Sequence, residues 1–301
     1  MIIMCENNNK TIQSAGNYKP LLRAAKRSSE TIRQTSGSNW FRHWLAGVID
    51  GDGNFDIQVK NNVERLSSLR IKLHQRDVKI LKVIQNKVHL GKIRRIKNKP
   101  YVIYVVSTKQ DLNLIIRLVN GLIRLKVDGF KKACSCLNVS YVEASYDIQP
   151  NDPYFAGLID SDGSIVFNYA GNRIECNLEL QLNEVTKKLN LDKVIPHAQP
   201  SVYLRTKKNQ TKGKTFQSIA FKWQTVNGMI HVYNYFMTVR LFCDMKFYRV
   251  TRIKRFLELR NYKNYQKQSV QFQAYAKLVC DFISYQNPKW QAVGFVKNFF
   301  R

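Results

Sequence analysis

Apolar positions along the chain recur in the same order twice. Trp40, Trp44 and Val48 fall at helical spacing behind a candidate cap at Ser38 or Asn39. The period then drops to two. Phe55, Ile57 and Val59 alternate with Asp56, Gln58 and Lys60, and Leu69, Ile71 and Leu73 alternate with Arg70, Lys72 and His74, which predicts two half-buried strands. Val78, Leu81 and Ile84 anchor a helix over 77–88, and 92–97 with 101–106 read as a hairpin turning at Asn98-Lys99-Pro100. Helical patterns over 112–125 and 130–142 close the first round. The second round opens at Asp152-Pro153, a cap followed by a first-turn proline. It continues with strands over 164–169 and 174–182, a helical stretch over 185–191, strands over 201–208 and 216–224, and helices over 227–240 and 248–259.

The predicted class is α+β, an αββαββα order repeated in two pseudo-symmetric halves, 39–146 and 153–301, across a polar linker at 147–152. Each half carries an antiparallel sheet with helices behind it. A helical tail beyond Arg260, with Phe272, Tyr275, Leu278 and Phe282 on one stripe, has no counterpart in the first half. Residues 1–38 lack apolar periodicity and read as a separate extension, either a transit peptide or a polar lead-in.

The sharpest repeat is Leu45-Ala46-Gly47-Val48-Ile49-Asp50-Gly51-Asp52-Gly53 against Phe155-Ala156-Gly157-Leu158-Ile159-Asp160-Ser161-Asp162-Gly163. Gly47 and Gly51, like Gly157 and Ser161, lie one turn apart on a helix face. Without bulk there, two helices can approach until their backbones touch. Glycine destabilises a helix interior by roughly 1 kcal/mol relative to alanine, so its use points to close approach. Gly53 is expected in the left-handed position that stops the first helix. Asp52 and Asp162 then sit side by side at two helix C-termini. The helix dipoles and mutual repulsion both oppose negative charge there. A hard divalent cation, Mg²⁺ or Ca²⁺, reverses both penalties, and the carbonyls of Gly51 and Ser161 can add to its shell. Such sites support phosphoryl chemistry.

Charge identifies the partner. Lys and Arg total 49 against 21 acidic residues, a formal net charge of +28 that suits a polyanion. Apolar residues make up 44%, enough for two cored units. No apolar run reaches the roughly 20 residues that span a bilayer, so no membrane partner is expected. Cys134 and Cys136 form a lone C-x-C with no second pair to complete a zinc site, and read as inert thiols.

The motifs Trp44-Leu45-Ala46-Gly47-Val48-Ile49-Asp50-Gly51-Asp52-Gly53-Asn54-Phe55 and Tyr154-Phe155-Ala156-Gly157-Leu158-Ile159-Asp160-Ser161-Asp162-Gly163-Ser164-Ile165 resemble those of the LAGLIDADG homing endonucleases, single-chain two-motif kind. The similarity covers roughly 39–260, and the departures at Val48, Gly51, Phe155 and Ser161 are ones the family pattern accepts. The resemblance implies two curved sheets forming a saddle on the DNA major groove, and metal-dependent hydrolysis of both strands that leaves short 3′ overhangs. By carry-over, Asp52 and Asp162 are the metal-binding catalytic acids, whereas Asp50 and Asp160 hold the helix ends. Lys126 resembles the first half's active-site lysine, and Lys246 is its counterpart to within one residue. Gln75 resembles the residue that orients water, with Asn183 considered as its partner. Mg²⁺ is the implied cofactor, with Ca²⁺ supporting binding and little or no cutting. A monomer, a mitochondrial setting and a role in intron mobility follow by the same analogy.

Side chains alternate along strands, so the polar side of each run faces the ligand. This nominates Gln58, Lys60, Arg70, Lys72, Arg94 and Tyr104 in the first half. In the second it nominates Asn168, Asn177, Gln181, Arg205, Lys207, Lys222 and Gln224, with Glu175 and Glu179 on the same side. Cationic and amide side chains of this kind read guanine and adenine edges, and no more than half are expected to contact bases. The resemblance leaves intron RNA as a second partner, through a maturase function that needs the basic surface but not the acids. A DNA-binding regulator that has lost catalysis is a further alternative, though neither aspartate has decayed.

Overall fold

A computed structural model describes residues 39–208 and 215–300. The extension expected over 1–38, the candidate cap Ser38, most of the 207–214 loop and the side chain of Lys207 lie outside the described residues. Helix α1 covers 39–52. It leads without a loop into β1 (Gly53–Lys60) and β2 (Val63–His74), then α2 (Val78–Val88), the hairpin β3 (Lys92–Arg95) and β4 (Tyr101–Val106), and helices α3 (Lys109–Val119) and α4 (Val127–Cys136). The second half runs α5 (Pro153–Ser161), β5 (Ser164–Asn168), β6 (Arg173–Gln181), β7 (Ser201–Lys208), β8 (Thr215–Trp223), α6 (Gly228–Thr238), α7 (Asp244–Thr251) and α8 (Ile253–Leu259). A tail helix, α9 (Val270–Ser284), and a terminal turn, α10 (Lys297–Phe300), follow.

Each half has one four-stranded antiparallel sheet, ordered β1-β2-β4-β3 and β5-β6-β8-β7. The same order in both halves is the duplication expressed as topology. One face of each sheet packs on helices. Leu69, Ile71 and Leu73 are buried on β2, and Ile174, Cys176, Leu178 and Leu180 on β6. Among the described residues, no helix is seen to pack on the opposite face. A bulge between Asp56 and Ile57 skips Ser67, so Arg65 rather than Leu66 stands opposite Gln58.

Several expected features change. Tyr104 is fully buried, because it pairs with Ile71 and so shares the core face, and its hydroxyl donates to the Leu90 carbonyl at 2.9 Å. It therefore does not face a ligand. Gly53 is extended rather than left-handed; a Cβ there would lie 2.5 Å from the Ile49 carbonyl oxygen, which is why glycine stands at the helix-to-strand join. The helix over 112–125 ends at Val119, ahead of Gly121 with φ +80°. The one over 130–142 ends at Cys136, near left-handed Asn138. The pattern over 248–259 divides into α7 and α8.

The stretch over 185–191 holds only a single turn at Thr186–Lys188, because Asn183 Oδ1 accepts the Val185 and Thr186 amides at 3.0 and 2.8 Å. Among the described residues, the second half thus has no counterpart of α2. In the first half, α2 buries Ile80, Leu81 and Ile84 behind β2, β3 and β4. In the second, Val202 and Leu204 lie on the rear face of β7, opposite buried Phe221 and Ile219, yet remain 49% and 69% exposed.

Candidate active site

The repeated motif builds the seam. A Cβ on Gly47 would lie 2.1 Å from the Tyr154 carbonyl oxygen, and one on Gly157 would lie 2.2 Å from that of Trp44. A Cβ on Gly51 would meet the Ser161 hydroxyl at 2.0 Å. Helices α1 and α5 therefore touch backbone to backbone, as the small residues at these positions required.

That contact delivers Asp52 and Asp162 to one place. Asp52 is the last residue of α1, and Asp162 follows the last residue of α5 with its N–H still bonded to the Leu158 carbonyl at 2.9 Å. A Cβ on Gly51 would sit 3.1 Å from Asp162 Oδ2, so the second carboxylate lies against the first helix end. Burial, followed by the charge of Asp162, pushes Asp52 up to about 6. Partial desolvation by its neighbours also raises Asp162, which keeps contact with solvent. Asp77, just after β2, adds a smaller repulsion to Asp52. The sequence pattern gave no reason to select it.

Two lysines offset that charge. Lys126 Nζ donates to the Gly51 carbonyl at 2.5 Å and to that of Gly53, while Lys246 Nζ donates to the carbonyls of Ile159, Asp160 and Ser161 at 2.7, 2.8 and 3.1 Å. Each ammonium satisfies helix-end carbonyls that would otherwise be orphaned. Burial lowers Lys126, against the pull of Asp50, Asp162 and Asp52. Lys126 reaches the end of its motif helix from the residue before α4, and Lys246 from inside α7; the positionally matched carbonyls they hold are those of Gly51 and Ser161.

The earlier aspartates are enclosed. Asp50 accepts from the Arg124 amide (2.7 Å), the Lys126 amide (3.0 Å) and the Tyr154 hydroxyl (2.8 Å). Asp160 accepts from the Trp44 indole (2.9 Å), the Phe242 amide (2.9 and 3.0 Å) and the Cys243 amide (2.8 Å). Trp44 and Tyr154 were not selected from the sequence, though each immediately precedes its repeat.

Gln75 is exposed in a short turn at the end of β2, its N–H bonded to the Pro100 carbonyl at 2.9 Å. Asn183 is committed to its own turn and does not serve as its partner.

The residues present suit a hard cation: two repelling carboxylates meet at carbonyl-bearing helix ends. Among the described residues, no cluster of three or more His, Cys, Asp or Glu side chains is placed to hold a metal. Asp52 and Asp162 would hold one only with water and substrate oxygens completing the shell, as Mg²⁺ tolerates; the Gly51 and Ser161 carbonyls, which here accept from Lys126 and Lys246 Nζ, would join through their second lone pairs.

On the open faces, Gln58, Lys60, Lys72, Arg94 and Gln181 are exposed. Arg70 is half-buried and bound to Asp56 at 2.6 Å, and Ser68 Oγ accepts from it at 2.8 Å. Glu175 is buried and accepts from Asn168 and Arg173 at 2.8 Å each and from Asn177 at 3.4 Å. Arg205 lies 3.9 Å from Glu179. Gln224 donates to the Tyr203 hydroxyl at 2.5 Å. Lys222 is half-buried opposite Asn177. Arg65, placed beside Gln58 by the bulge, was not selected from the sequence.

A family model described as LAGLIDADG endonuclease matches residues 45–136. An intron-encoded RNA maturase, bI4, of Saccharomyces cerevisiae is 29% identical over 68% of the chain, and the chain spans only 30% of that protein's length. An intron-encoded DNA endonuclease, ai2a, of Dictyostelium discoideum is 27% identical over 76% of the chain and 69% of its own length. The solved structure of I-SmaMI bound to an uncleaved DNA target in the presence of calcium ions superposes with a TM-score of 0.53 at 12% identity, covering 79% of this chain and 97% of the other. At that identity the likeness shows the fold alone.

Proposed function

We propose, from the premise that this chain belongs to the LAGLIDADG endonuclease family, that it is a sequence-specific nuclease hydrolysing both strands of a DNA target. The observation that carries this reading is the pair of carboxylates, Asp52 and Asp162, brought to one glycine-lined seam in a chain whose two sheets each carry a polar face. The basic and amide side chains of those faces bind and orient the duplex. Phosphate contacts fix position, and the strand-borne Gln, Asn, Arg and Lys groups read base edges in the major groove. Each carboxylate serves one strand. Each lysine stands beside its helix end as a positive charge toward the scissile phosphate and its leaving oxygen. A divalent ion, Mg²⁺ by preference, supplies Lewis-acid charge stabilisation and an activated water when bound. Gln75 is assigned to orienting that water. The intron-encoded relatives support a role in intron mobility; the family resemblance alone leads us to assign a mitochondrial setting and a monomer as the active form.

The test is selection of cleaved sites from a randomised DNA library with Mg²⁺ and again with Ca²⁺. Cutting is expected with Mg²⁺, and binding with little cutting is expected with Ca²⁺. Cleavage that survives both Asp52→Asn and Asp162→Asn would overturn the site assignment. The similarity to an RNA maturase supports a second reading, intron RNA binding during splicing. That activity uses the basic surface and should persist in both aspartate variants.

A further inference from the structure

We propose that the two catalytic lysines are positioned crosswise: Tyr154 of the second half sets Lys126 of the first, and Trp44 of the first half sets Lys246 of the second. The inference rests on the nuclease reading for its consequence but not for its geometry.

Trp44 and Tyr154 occupy the same place relative to the two repeats, and both are fully buried. Each has a single polar hydrogen, and each gives it to a carboxylate of the opposite half. The Tyr154 hydroxyl donates to Asp50 at 2.8 Å, and the Trp44 indole donates to Asp160 at 2.9 Å. The carboxylates act as relays. Asp50 also holds the Arg124 and Lys126 amides at 2.7 and 3.0 Å, where α4 begins. Asp160 also holds the Cys243 amide at 2.8 Å, where α7 begins one turn ahead of Lys246. Both lysines then reach back to the helix that carries their own half's catalytic aspartate.

The rings repeat the same crossing. The Arg124 guanidinium lies over the Tyr154 ring at 4.2 Å, and the Phe242 ring meets Trp44 edge-on at 4.9 Å. Arg124 and Phe242 are the residues whose amides Asp50 and Asp160 hold. Each crossing residue therefore grips the same segment twice, by hydrogen bond and by ring face. A buried carboxylate stripped of one donor turns toward its remaining partners, and the amide it holds moves with it. Trp44 and Tyr154 are positioning residues, since neither reaches the reacting atoms.

The two cuts should then be separable. On a duplex target with its strands differently end-labelled, Tyr154→Phe should slow the cut of one strand about tenfold and accumulate a nicked product. Trp44→Phe should slow the other strand by a similar factor. Trp44→Tyr differs from Trp44→Phe by one hydroxyl, placed as Tyr154 places its own, and should restore balanced cutting. A second readout needs no cleavage. Amide exchange should rise at Arg124 and Lys126 in Tyr154→Phe with Phe242 and Cys243 unchanged, and the reverse should hold in Trp44→Phe. Equal slowing of both strands by either variant, bias toward the same strand in both, or exchange that rises on both sides or on neither overturns the crossing. If the wild type cuts no DNA, the nuclease reading fails and the exchange pattern alone decides this one. Tyr154→Phe removes one oxygen and little volume, so it carries the test should Trp44→Phe fail to fold.

Discussion

Asp52→Asn should make the protein more stable while abolishing its cutting. Burial and Asp162 together lift Asp52 from its ordinary 3.8 to about 6, and that position already includes the attraction of Lys126 and Lys246. Holding the group charged at neutral pH therefore costs about 3 kcal/mol at most. Its partial contact with solvent screens this to about 1–2 kcal/mol. A carboxyl whose folded value lies above its unfolded one binds more protons folded than unfolded between the two, so stability falls as pH rises from about 4 to about 6. Above that window the wild type bears the full penalty, and below it none. Without divalent ions, the variant should melt about 2–4 °C above wild type at pH 7.5 and level with it at pH 3.5. Adding Mg²⁺ should narrow the gap at pH 7.5 by stabilising the wild type through mass action. A variant that melts below wild type at pH 7.5, or that keeps the same advantage at both pH values, refutes the electrostatic account of the seam.

Gly47→Ala should lower stability by at least about 3 kcal/mol and eliminate cleavage, because the added carbon meets the Tyr154 carbonyl at 2.1 Å and backbone cannot step aside; thermal melts and a nicking assay check both. Gly51→Ala meets the Ser161 side chain instead, so pairing it with Ser161→Gly should recover most of the loss in a double-mutant cycle. Tyr104→Phe should cost about 1 kcal/mol by urea titration, from the lost bond to the Leu90 carbonyl, and leave site preference in a library selection unaltered.

The duplication and the strands of the first half were legible because β1 and β2 alternate cleanly and because Gly47, Gly51, Gly157 and Ser161 admit one explanation. Tyr101-Val102-Ile103-Tyr104-Val105-Val106 is apolar on both sides, so alternation could not orient it; only the pairing of Tyr104 with Ile71 does. Helix ends were overrun at 119 and 136 because the stop signals there, Gly121 and Asn138, lie inside apolar patterns that continue. The loop after β6 misled because Asn183 spends its side chain on local amides, a choice that composition does not reveal. The meeting of Asp52 and Asp162 was legible from the repeat, and the placing of Lys126 and Lys246 against the helix ends follows the family resemblance. Asp77 was not, since its effect on Asp52 depends on folding across the β2–α2 turn. Arg65 was hidden by a bulge that no periodicity announces.

The exposure of Val202 and Leu204 on the rear of β7 makes the two halves unequal as building blocks. A symmetric dimer assembled from two copies of residues 39–146 would have α2 sealing both sheets from behind. One assembled from two copies of the later half would present Val202 and Leu204 twice, on edge strands prone to self-association.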